Sequence, residues 1–290
     1  MTVLVGGATG FTGKRVLPLL KANGPIRVFA RCNSDTSLAV SLGMEVAVGD
    51  YADVDSLTKA LQGCSGFINC GSLGFGHAQN LVDACRKANV QRALFLSTTA
   101  IFTNLAAPSK KIRIEAEKII QTSGLDWTIL RPTMIFGDVD DRNMIRLLKF
   151  LKRSPFVLIP GSGNSLQRPI YVEDLAHAIV AAFFNSKTIR KSYNLSGAKP
   201  LSFNEVIESA CESLHVKRIK IHLPVAPLRL VAKILEKLSK KPWIKEEQIL
   251  RLLEDKAFDH DKAKADFSFN PLDYKSAIQK EVMKAKLGQG

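Results

Sequence analysis

Short apolar runs alternate with amphipathic stretches through the first half of the chain. Apolar runs bounded by Gly, Asn or Asp are typical of buried strands, whereas apolar residues spaced three or four positions apart are typical of helices. The pattern predicts strands at 3–5, 26–30, 44–48, 66–70, 93–96 and 127–130, with helices between them, for example at 54–61 and 77–88. This alternation predicts an α/β fold with a doubly wound parallel sheet.

The second half has a different pattern. From 224 to 253 the sequence predicts helices that place Leu228, Val231, Leu235 and Leu238 on one side and basic residues on much of the rest. An amphipathic stripe usually faces the protein's own core, so we expect a smaller, mainly helical C-terminal lobe. The alternative for 228–251 is a peripheral contact with an anionic membrane or an acidic protein partner. Trp243 could pack over a substrate or anchor the lobe, and a Trp beside a basic helix also suits an interface.

A glycine-rich turn, Gly-Gly-Ala-Thr-Gly-Phe-Thr-Gly, follows the first predicted strand. Gly7 permits a tight turn, Gly10 lets the backbone approach phosphate oxygens, and Gly13 lets the next helix pack on the strand. The helix N-terminus offers free N–H groups and a positive dipole end to an anion. The turn therefore predicts a dinucleotide site, completed by Thr9, Phe11 and Thr12. The alternative is a plain loop, because the spacing is G-x-x-G-x-x-G and not the tighter G-x-G-x-x-G of the dinucleotide-binding fingerprint.

Arg31 ends the second predicted strand, where NAD-binding folds place an acidic residue on the ribose 2′-hydroxyl. A guanidinium at this point can bind a 2′-phosphate, with Asn33, Ser34, Lys14 or Arg15 nearby. The sequence therefore favours NADP over NAD as the cofactor. The alternative is that Arg31 is a solvated charge at a strand end.

Residues that follow the next two strands are further candidates, because ligands bind at the carboxyl ends of parallel strands. Asp50 could accept a hydrogen bond from the adenine amino group, or it could simply form a turn. Asn69, Cys70 and Gly71 end the fourth strand, where the cofactor ribose would pass. For Cys70 the simpler interpretation is a small core hydrophobe.

Composition describes an ordinary globular protein, with 290 residues, 46% hydrophobic and 23% charged. No apolar run reaches the roughly 20 residues that span a bilayer, and the N-terminus resembles a core strand, not a signal peptide. We therefore expect a cytoplasmic or organelle-matrix protein. The five scattered cysteines contain no C-x-x-C pair, so we expect neither disulfides nor a metal site. The net charge of +14 suggests nucleic-acid binding as a hypothesis, but no interleaved basic and aromatic motif supports it. We expect a small-molecule ligand instead.

Several further blocks resemble one family. They are Ser97-Thr98-Thr99-Ala100, Leu130-Arg131-Pro132, residues 167–176 and Tyr193-Asn-Leu-Ser-Gly197. With the glycine turn, they resemble the extended and atypical short-chain dehydrogenases/reductases, including epimerase/dehydratase-like, NmrA-like and complex I accessory-subunit-like proteins. The resemblance implies a Rossmann domain at 1–135 with a return segment at about 168–197. It implies a small substrate-binding lobe at 136–167 and 198–290.

The resemblance also assigns roles at the nicotinamide end. Pro132 and Thr133, with the residues up to Ile135, would lie against the nicotinamide, and Arg168 would line the substrate cleft. A structural ion pair between Arg168 and Glu173 or Asp174 is an equally good account.

Catalytic members of the family carry Tyr-x-x-x-Lys, in which the lysine lowers the pKa of the tyrosine that transfers a proton. Here Ser109 and Arg113 occupy those positions. Arg113 can still bind ribose hydroxyls but cannot deprotonate. Thr99 could bind a substrate carbonyl, and Tyr171 could act as a substitute acid. The alternatives are a strand-end hydroxyl for Thr99 and a half-buried aromatic for Tyr171.

Two hypotheses follow from this site. The first is an NADP-dependent reductase or isomerase of a small carbonyl-bearing molecule that lacks the usual tyrosine. The second is a non-catalytic NADP-binding redox sensor or accessory protein, in which cofactor occupancy signals redox state or stabilises a fold.

Overall fold

The computed structural model describes residues 2–105, 107–141, 143–238 and 246–288. The strands are β1 (Thr2–Gly6), β2 (Ile26–Ala30), β3 (Glu45–Val48), β4 (Cys64–Asn69), β5 (Arg92–Leu96), β6 (Asp126–Pro132), β7 (Ile135–Phe136), β8 (Phe156–Pro160), β9 (Leu166–Gln167), β10 (Ile170–Tyr171), β11 (Lys191–Leu195), β12 (Leu201–Ser202) and β13 (Ile219–Leu223). The α-helices are α1 (Gly13–Leu20), α2 (Ser37–Ser41), α3 (Val54–Leu61), α4 (Ala78–Lys87), α5 (Pro108–Gln121), α6 (Met144–Arg153), α7 (Val172–Phe184), α8 (Phe203–Ser213), α9 (Val225–Leu238), α10 (Glu246–Leu253), α11 (Asp261–Phe267) and α12 (Tyr274–Lys284). Short 3₁₀ turns lie at Lys21–Asn23, Leu73–Phe75, Thr99–Phe102 and Ser186–Thr188.

Seven strands form one parallel sheet in the order β11-β6-β5-β4-β1-β2-β3. This is a doubly wound Rossmann sheet, and the predicted fold class is confirmed. The winding direction reverses between β1 and β4, where Gly6 is paired with Asn69. The carboxyl ends of β1 and β4 therefore border the crevice in which such sheets bind ligands.

Side chains of β1 alternate between two cores. Val3 and Val5 belong to the core that includes Val16 of α1 and Leu175 of α7. Leu4 points to the opposite face, into the core that α3, α4 and α5 cover. Helices on both faces explain why the strands read as nearly continuous apolar runs.

A third core lies in the C-terminal lobe, between α6, α8, α12 and the inner face of the β8–β13 pair. Helices α9 and α10 pack on each other. Leu228 and Leu235 are half-buried and Ala232 is buried, but Val231 and Leu238 are exposed. The prediction that the Leu/Val face of this segment is buried is therefore wrong for Val231 and Leu238. Residues 239–245, which include Trp243, lie outside the described part of the chain.

Within the described ranges, no helix combines the length and the apolar character needed to cross a bilayer. No cluster of His, Cys, Asp and Glu within those ranges has the geometry of a metal site. The five cysteines are free thiols, and Cys32 alone among them is exposed.

Candidate functional site

The glycine turn is held tightly between β1 and α1. Gly7 has φ +67°, and a Cβ atom there would lie 2.4 Å from the backbone nitrogen of Gly71. A Cβ atom at Gly13 would lie 2.2 Å from the carbonyl oxygen of Gly7. These contacts are with backbone atoms, so no side chain can move aside, and both positions require glycine.

Gly10 has more room than Gly7 and Gly13. A Cβ atom there would approach only the carbonyl oxygen of Gly7, at 3.2 Å. Across the described residues, the N–H groups of Phe11 and Thr12 have no recorded acceptor, and the first turn of α1 has no acidic residue or side-chain cap. Unpaired N–H groups at a helix N-terminus beside an open glycine fit the diphosphate of a dinucleotide.

A cleft of about 540 Å³ opens at the ends of β2 and β3. Its lining consists of Arg31, Cys32, Asn33, Ser34, Val48, Gly49 and Asp50. The Arg31 side chain is exposed, and within the described ranges it has neither an ion pair nor a hydrogen bond. Asp50 Oδ1 accepts a hydrogen bond from the Ala52 backbone at 2.8 Å. Asp50 thus forms a turn while it also lines the cleft.

The basic residues of α1 differ in their availability. Lys14 lines a neighbouring cavity of about 190 Å³ together with Thr9. Its Nζ lies 3.8 Å from Asp140, and the lysine is partly exposed. Arg15 instead donates hydrogen bonds to the Phe11 carbonyl and to the Asp138 carboxylate. The expectation that Arg15 assists at the 2′-phosphate is not supported, because its guanidinium is already occupied.

Residues at the end of β4 hold the floor of the crevice. Asn69 Oδ1 accepts hydrogen bonds from the Tyr51 hydroxyl at 2.8 Å and from the Gly71 N–H at 3.1 Å. A Cβ atom at Gly6 would lie 2.0 Å from the Tyr51 oxygen, so Tyr51 packs directly behind the glycine turn. Burial raises the pKa of the Cys70 thiol to about 12, as expected for a small core residue. The role of Tyr51 escaped sequence analysis because its partners lie on other strands.

Ser109 and Arg113 lie together on α5, one turn apart. Arg113 Nη1 donates to Ser109 Oγ at 2.8 Å. The Arg113 Nε atom would be 3.1 Å from a Cβ atom at Gly74, which places the guanidinium against the turn after β4. Burial lowers the pKa of Arg113, with a smaller contribution from the charge of Arg251. A guanidinium remains protonated at neutral pH, so this pair cannot relay a proton.

The loop after β5 lies against the end of β6. Thr99 is buried, and its hydroxyl donates to the Pro132 carbonyl oxygen at 3.3 Å. Thr133 directly follows β6, and its hydroxyl donates to the Arg168 carbonyl oxygen at 2.5 Å. The hydroxyls of both threonines therefore bind backbone carbonyls at this edge of the sheet.

Arg168 connects chain segments through backbone carbonyls. Its guanidinium donates to Gly197 at 2.8 Å, Ala198 at 2.8 Å and Phe258 at 3.0 Å. The alternative of an ion pair with Glu173 or Asp174 is wrong. Glu173 pairs with Lys284, and Asp174 accepts from the Leu272 N–H. The role of Arg168 in lining a substrate cleft stays a prediction.

Tyr171 lies apart from the Ser109–Arg113 pair. Its ring packs 6.0 Å from that of Phe136, and a Cβ atom at Gly137 would lie 2.4 Å from it. Lys280 and Lys284 approach the ring face at 5.9 and 5.7 Å. Burial raises the pKa of Tyr171. None of its recorded contacts in the described ranges involves Thr99, Ser109 or Arg113, so the structure does not group these four candidates.

A buried polar network behind Thr99 was not predicted. Glu117 accepts from Ser97 Oγ at 2.5 Å and from Arg131 Nε and Nη2 at 3.0 and 2.5 Å. Arg131 also lies over the Phe102 ring, 5.4 Å from its centroid. The network ties α5 to the ends of β5 and β6. Ser97 and Arg131 belong to two of the sequence blocks, but no local pattern pairs them with Glu117.

The sequence of residues 7–186, more than half of the chain, matches the family described as NAD(P)H-binding. The chain belongs to this family. The matched residues include the glycine turn from Gly7, the cleft at Arg31 and the Ser109–Arg113 pair.

Individual relatives of this NAD(P)H-binding protein are distant. N-acetyl-alpha-D-glucosaminyl-diphospho-ditrans,octacis-undecaprenol 4-epimerase of Escherichia coli is 25% identical, over 77% of this chain and 75% of the relative. NADH dehydrogenase [ubiquinone] 1 alpha subcomplex subunit 9 of Dictyostelium discoideum is 23% identical, over 86% and 74%. The crystal structure of UDP-glucuronic acid 4-epimerase from Bacillus cereus in complex with NAD has a TM-score of 0.77 at 17% identity, covering 100% of both chains. This structural likeness shows the shared fold.

Proposed function

We propose that this protein binds NADP(H) in preference to NAD(H). The observation that carries the proposal is Arg31, an unpaired guanidinium at the end of β2 on the wall of an open cleft. The ribose 2′-phosphate would bind Arg31, with Asn33 and Ser34 on the same wall. NAD binding in this fold uses an acidic residue at this point, and a cation supplies no acceptor for a 2′-hydroxyl.

The remaining parts of the cofactor follow from the same edge of the sheet. The diphosphate would accept hydrogen bonds from the free N–H groups of Phe11 and Thr12, beside Gly10. Asp50, exposed in the cleft, would face the adenine. Arg113 would donate to the hydroxyls of the nicotinamide ribose.

We further propose that the bound cofactor serves as a redox signal or a structural element, as in a sensor or accessory protein. If bound, NADPH would supply the hydride for reduction of a carbonyl, and the chain would have to provide the proton. Ser109 is a poor donor at neutral pH, and Arg113 does not exchange its proton. Tyr171 lies elsewhere. The similarity to a complex I subunit agrees with an accessory role.

A second candidate is an NADP-dependent reductase or isomerase of a small carbonyl-bearing molecule. Thr99 favours it, because this hydroxyl stands at the carboxyl end of β5, beside the predicted nicotinamide position. The similarity to a 4-epimerase also agrees with it. Thr99 would have to turn its O–H from the Pro132 carbonyl oxygen to orient a substrate carbonyl, and the proton would have to come from another group.

Titration calorimetry tests the cofactor proposal. Arg31→Ala should weaken NADPH binding about ten- to a hundredfold and change NADH binding little, because a charged hydrogen bond contributes about 1.5–3 kcal/mol. Arg153→Ala, which removes an exposed arginine at the end of α6, is the matched control and should change neither. An equal loss for both cofactors would contradict the phosphate role of Arg31. Oxidation of bound NADPH by a panel of carbonyl compounds, followed by absorbance, would favour the second candidate.

A further inference from the structure

Helix α9 carries three parallel stripes of side chains. Leu228, Ala232 and Leu235 are buried or half-buried, and α9 packs on α10. Leu230, Ile234 and Leu238 follow one another at four-residue spacing, and Val231 lies beside them. These four side chains are 61%, 48%, 78% and 50% exposed, respectively. One apolar face of α9 is therefore left exposed by the described part of the chain.

The third stripe is basic and borders the exposed one. Arg229, Lys233 and Lys237 each directly precede a residue of the exposed stripe. Arg229 and Lys233 share a single carboxylate, Glu246, at 2.8 and 3.5 Å. Lys237 has no recorded partner in the part of the chain that the structure describes. The edge of the apolar stripe thus keeps a net positive charge.

Strand β13, which precedes α9, also carries exposed apolar side chains. Ile219 and Ile221 of β13 are in register with Phe156 and Leu158 of β8, and all four side chains are exposed. Because alternate residues of a strand share a face, these side chains form one bare apolar face of the β8–β13 pair. The opposite face carries Val157 and Ile159, which are buried in the lobe core.

Positive charge is concentrated in the segment that contains β13 and α9. Residues 216–245 contain nine Lys and Arg residues and a single acidic one, Glu236. This segment therefore holds more than half of the net charge of +14. Trp243, a residue type that favours membrane interfaces, also belongs to it.

From this juxtaposition we propose that α9 docks the protein on an anionic membrane surface. The helix lies along the surface, with Leu230, Ile234 and Leu238 among the acyl chains and the basic stripe at the phosphates. Adjacent apolar and cationic stripes on one helix match the two layers of an anionic leaflet. An acidic protein partner would pair with the cations but would not explain the row of exposed leucine and isoleucine side chains.

Vesicle sedimentation with the full chain tests this proposal. We expect the protein to bind phosphatidylcholine vesicles that contain phosphatidylglycerol, and to bind pure phosphatidylcholine vesicles at least about tenfold more weakly. Binding should decline as salt is raised, because screening shortens the reach of the charges to about 8 Å at physiological ionic strength.

Two double variants separate the apolar stripe from general surface hydrophobicity. Leu230→Gln with Ile234→Gln should lower the partition coefficient on anionic vesicles about tenfold or more. Val40→Gln with Met283→Gln removes two other exposed apolar side chains, 62% and 69% exposed, and should change the partition coefficient less than about twofold.

A third double variant tests the basic stripe. Lys233→Gln with Lys237→Gln should weaken binding to anionic vesicles only. Thermal unfolding of each variant confirms that the fold is intact.

Three results would overturn the proposal. The first is no sedimentation with anionic vesicles at low salt, and the second is equal binding to neutral vesicles. The third is a concentration-dependent dimer in analytical ultracentrifugation that the Leu230/Ile234 variant abolishes while vesicle binding stays unchanged. That result would assign the stripe to a second copy of this chain.

Discussion

Arg113 donates a hydrogen bond to Ser109 across one turn of α5, at 2.8 Å. In catalytic members of the family that the sequence resembles, a tyrosine and a lysine have this spacing, and the lysine lowers the pKa of the tyrosine hydroxyl. Here the donor is always charged and the acceptor is a weakly acidic alcohol. The predicted pair keeps the spacing, but an alcohol beside a guanidinium offers no group that readily exchanges a proton at neutral pH.

We expect the unmodified protein to reduce simple aldehydes and ketones with NADPH far more slowly than about 10 per second, the median for enzymes. Ser109→Tyr with Arg113→Lys restores a phenol beside a lysine and should raise the rate. The control, Ser109→Phe with Arg113→Lys, has the same ring without the hydroxyl and should not. Ordinary enzyme rates in the unmodified protein would show that another residue supplies the proton.

The glycine turn predicts a separation between binding and stability. Gly10→Ala should weaken NADPH binding about tenfold or more and lower the free energy of unfolding by less than Gly13→Ala does, because its Cβ atom would approach a single backbone oxygen, at 3.2 Å. Gly13→Ala should cost about 1–3 kcal/mol even without cofactor, because its Cβ atom would meet backbone. Calorimetry and urea unfolding measure the two effects. A large loss of stability in Gly10→Ala would contradict the assignment.

Glu117 should be important for stability. Glu117→Leu leaves the Arg131 guanidinium, only 16% exposed, without its carboxylate, and should cost about 3–5 kcal/mol in urea unfolding. Glu115→Leu, on the exposed side of the same helix, should cost less than about 0.5 kcal/mol. Glu117→Met with Arg131→Met should cost less than Glu117→Leu, since no buried charge is left alone. Equal costs for Glu115→Leu and Glu117→Leu would argue against this network.

Glu281 should make stability fall as pH rises. Its carboxylate is buried on α12, and burial, with the charges of Asp141 and Asp138, raises its pKa from 4.5 to about 8, against a smaller lowering by the Gly137 backbone. The folded state therefore keeps a proton that the unfolded state releases. This contribution to stability is complete below pH 4.5 and is lost as pH rises through about 8.

The comparison with Glu281→Gln isolates that contribution. The wild-type free energy of unfolding should decline relative to the variant by up to about 1.4 kcal/mol per pH unit across this interval. Above pH 8 the variant should be the more stable protein. Urea unfolding at a series of pH values provides the measurement. Parallel pH curves for the two proteins would show that Glu281 has an ordinary pKa.

Local sequence patterns predicted the elements near the cofactor cleft well. Strand β2 and helix α3 lie where the apolar periodicity places them, at Ile26–Ala30 and Val54–Leu61. The glycine turn could also be interpreted from the sequence alone, because backbone conformation and close approach depend on residues a few positions apart. Arg31 at the end of β2 follows from the same short-range information.

The features that only the tertiary structure decided depend on residues far apart in the chain. Glu117 finds Ser97 and Arg131 on two other elements, and Arg168 finds its carbonyl acceptors on segments that fold back against it. Periodicity predicted α9 as an amphipathic helix but could not tell which apolar residues meet a neighbour. In the described part of the chain, Leu228 and Leu235 are half-buried and Ala232 is buried, whereas Leu230, Ile234 and Leu238 stay exposed, because burial depends on which elements pack together in space.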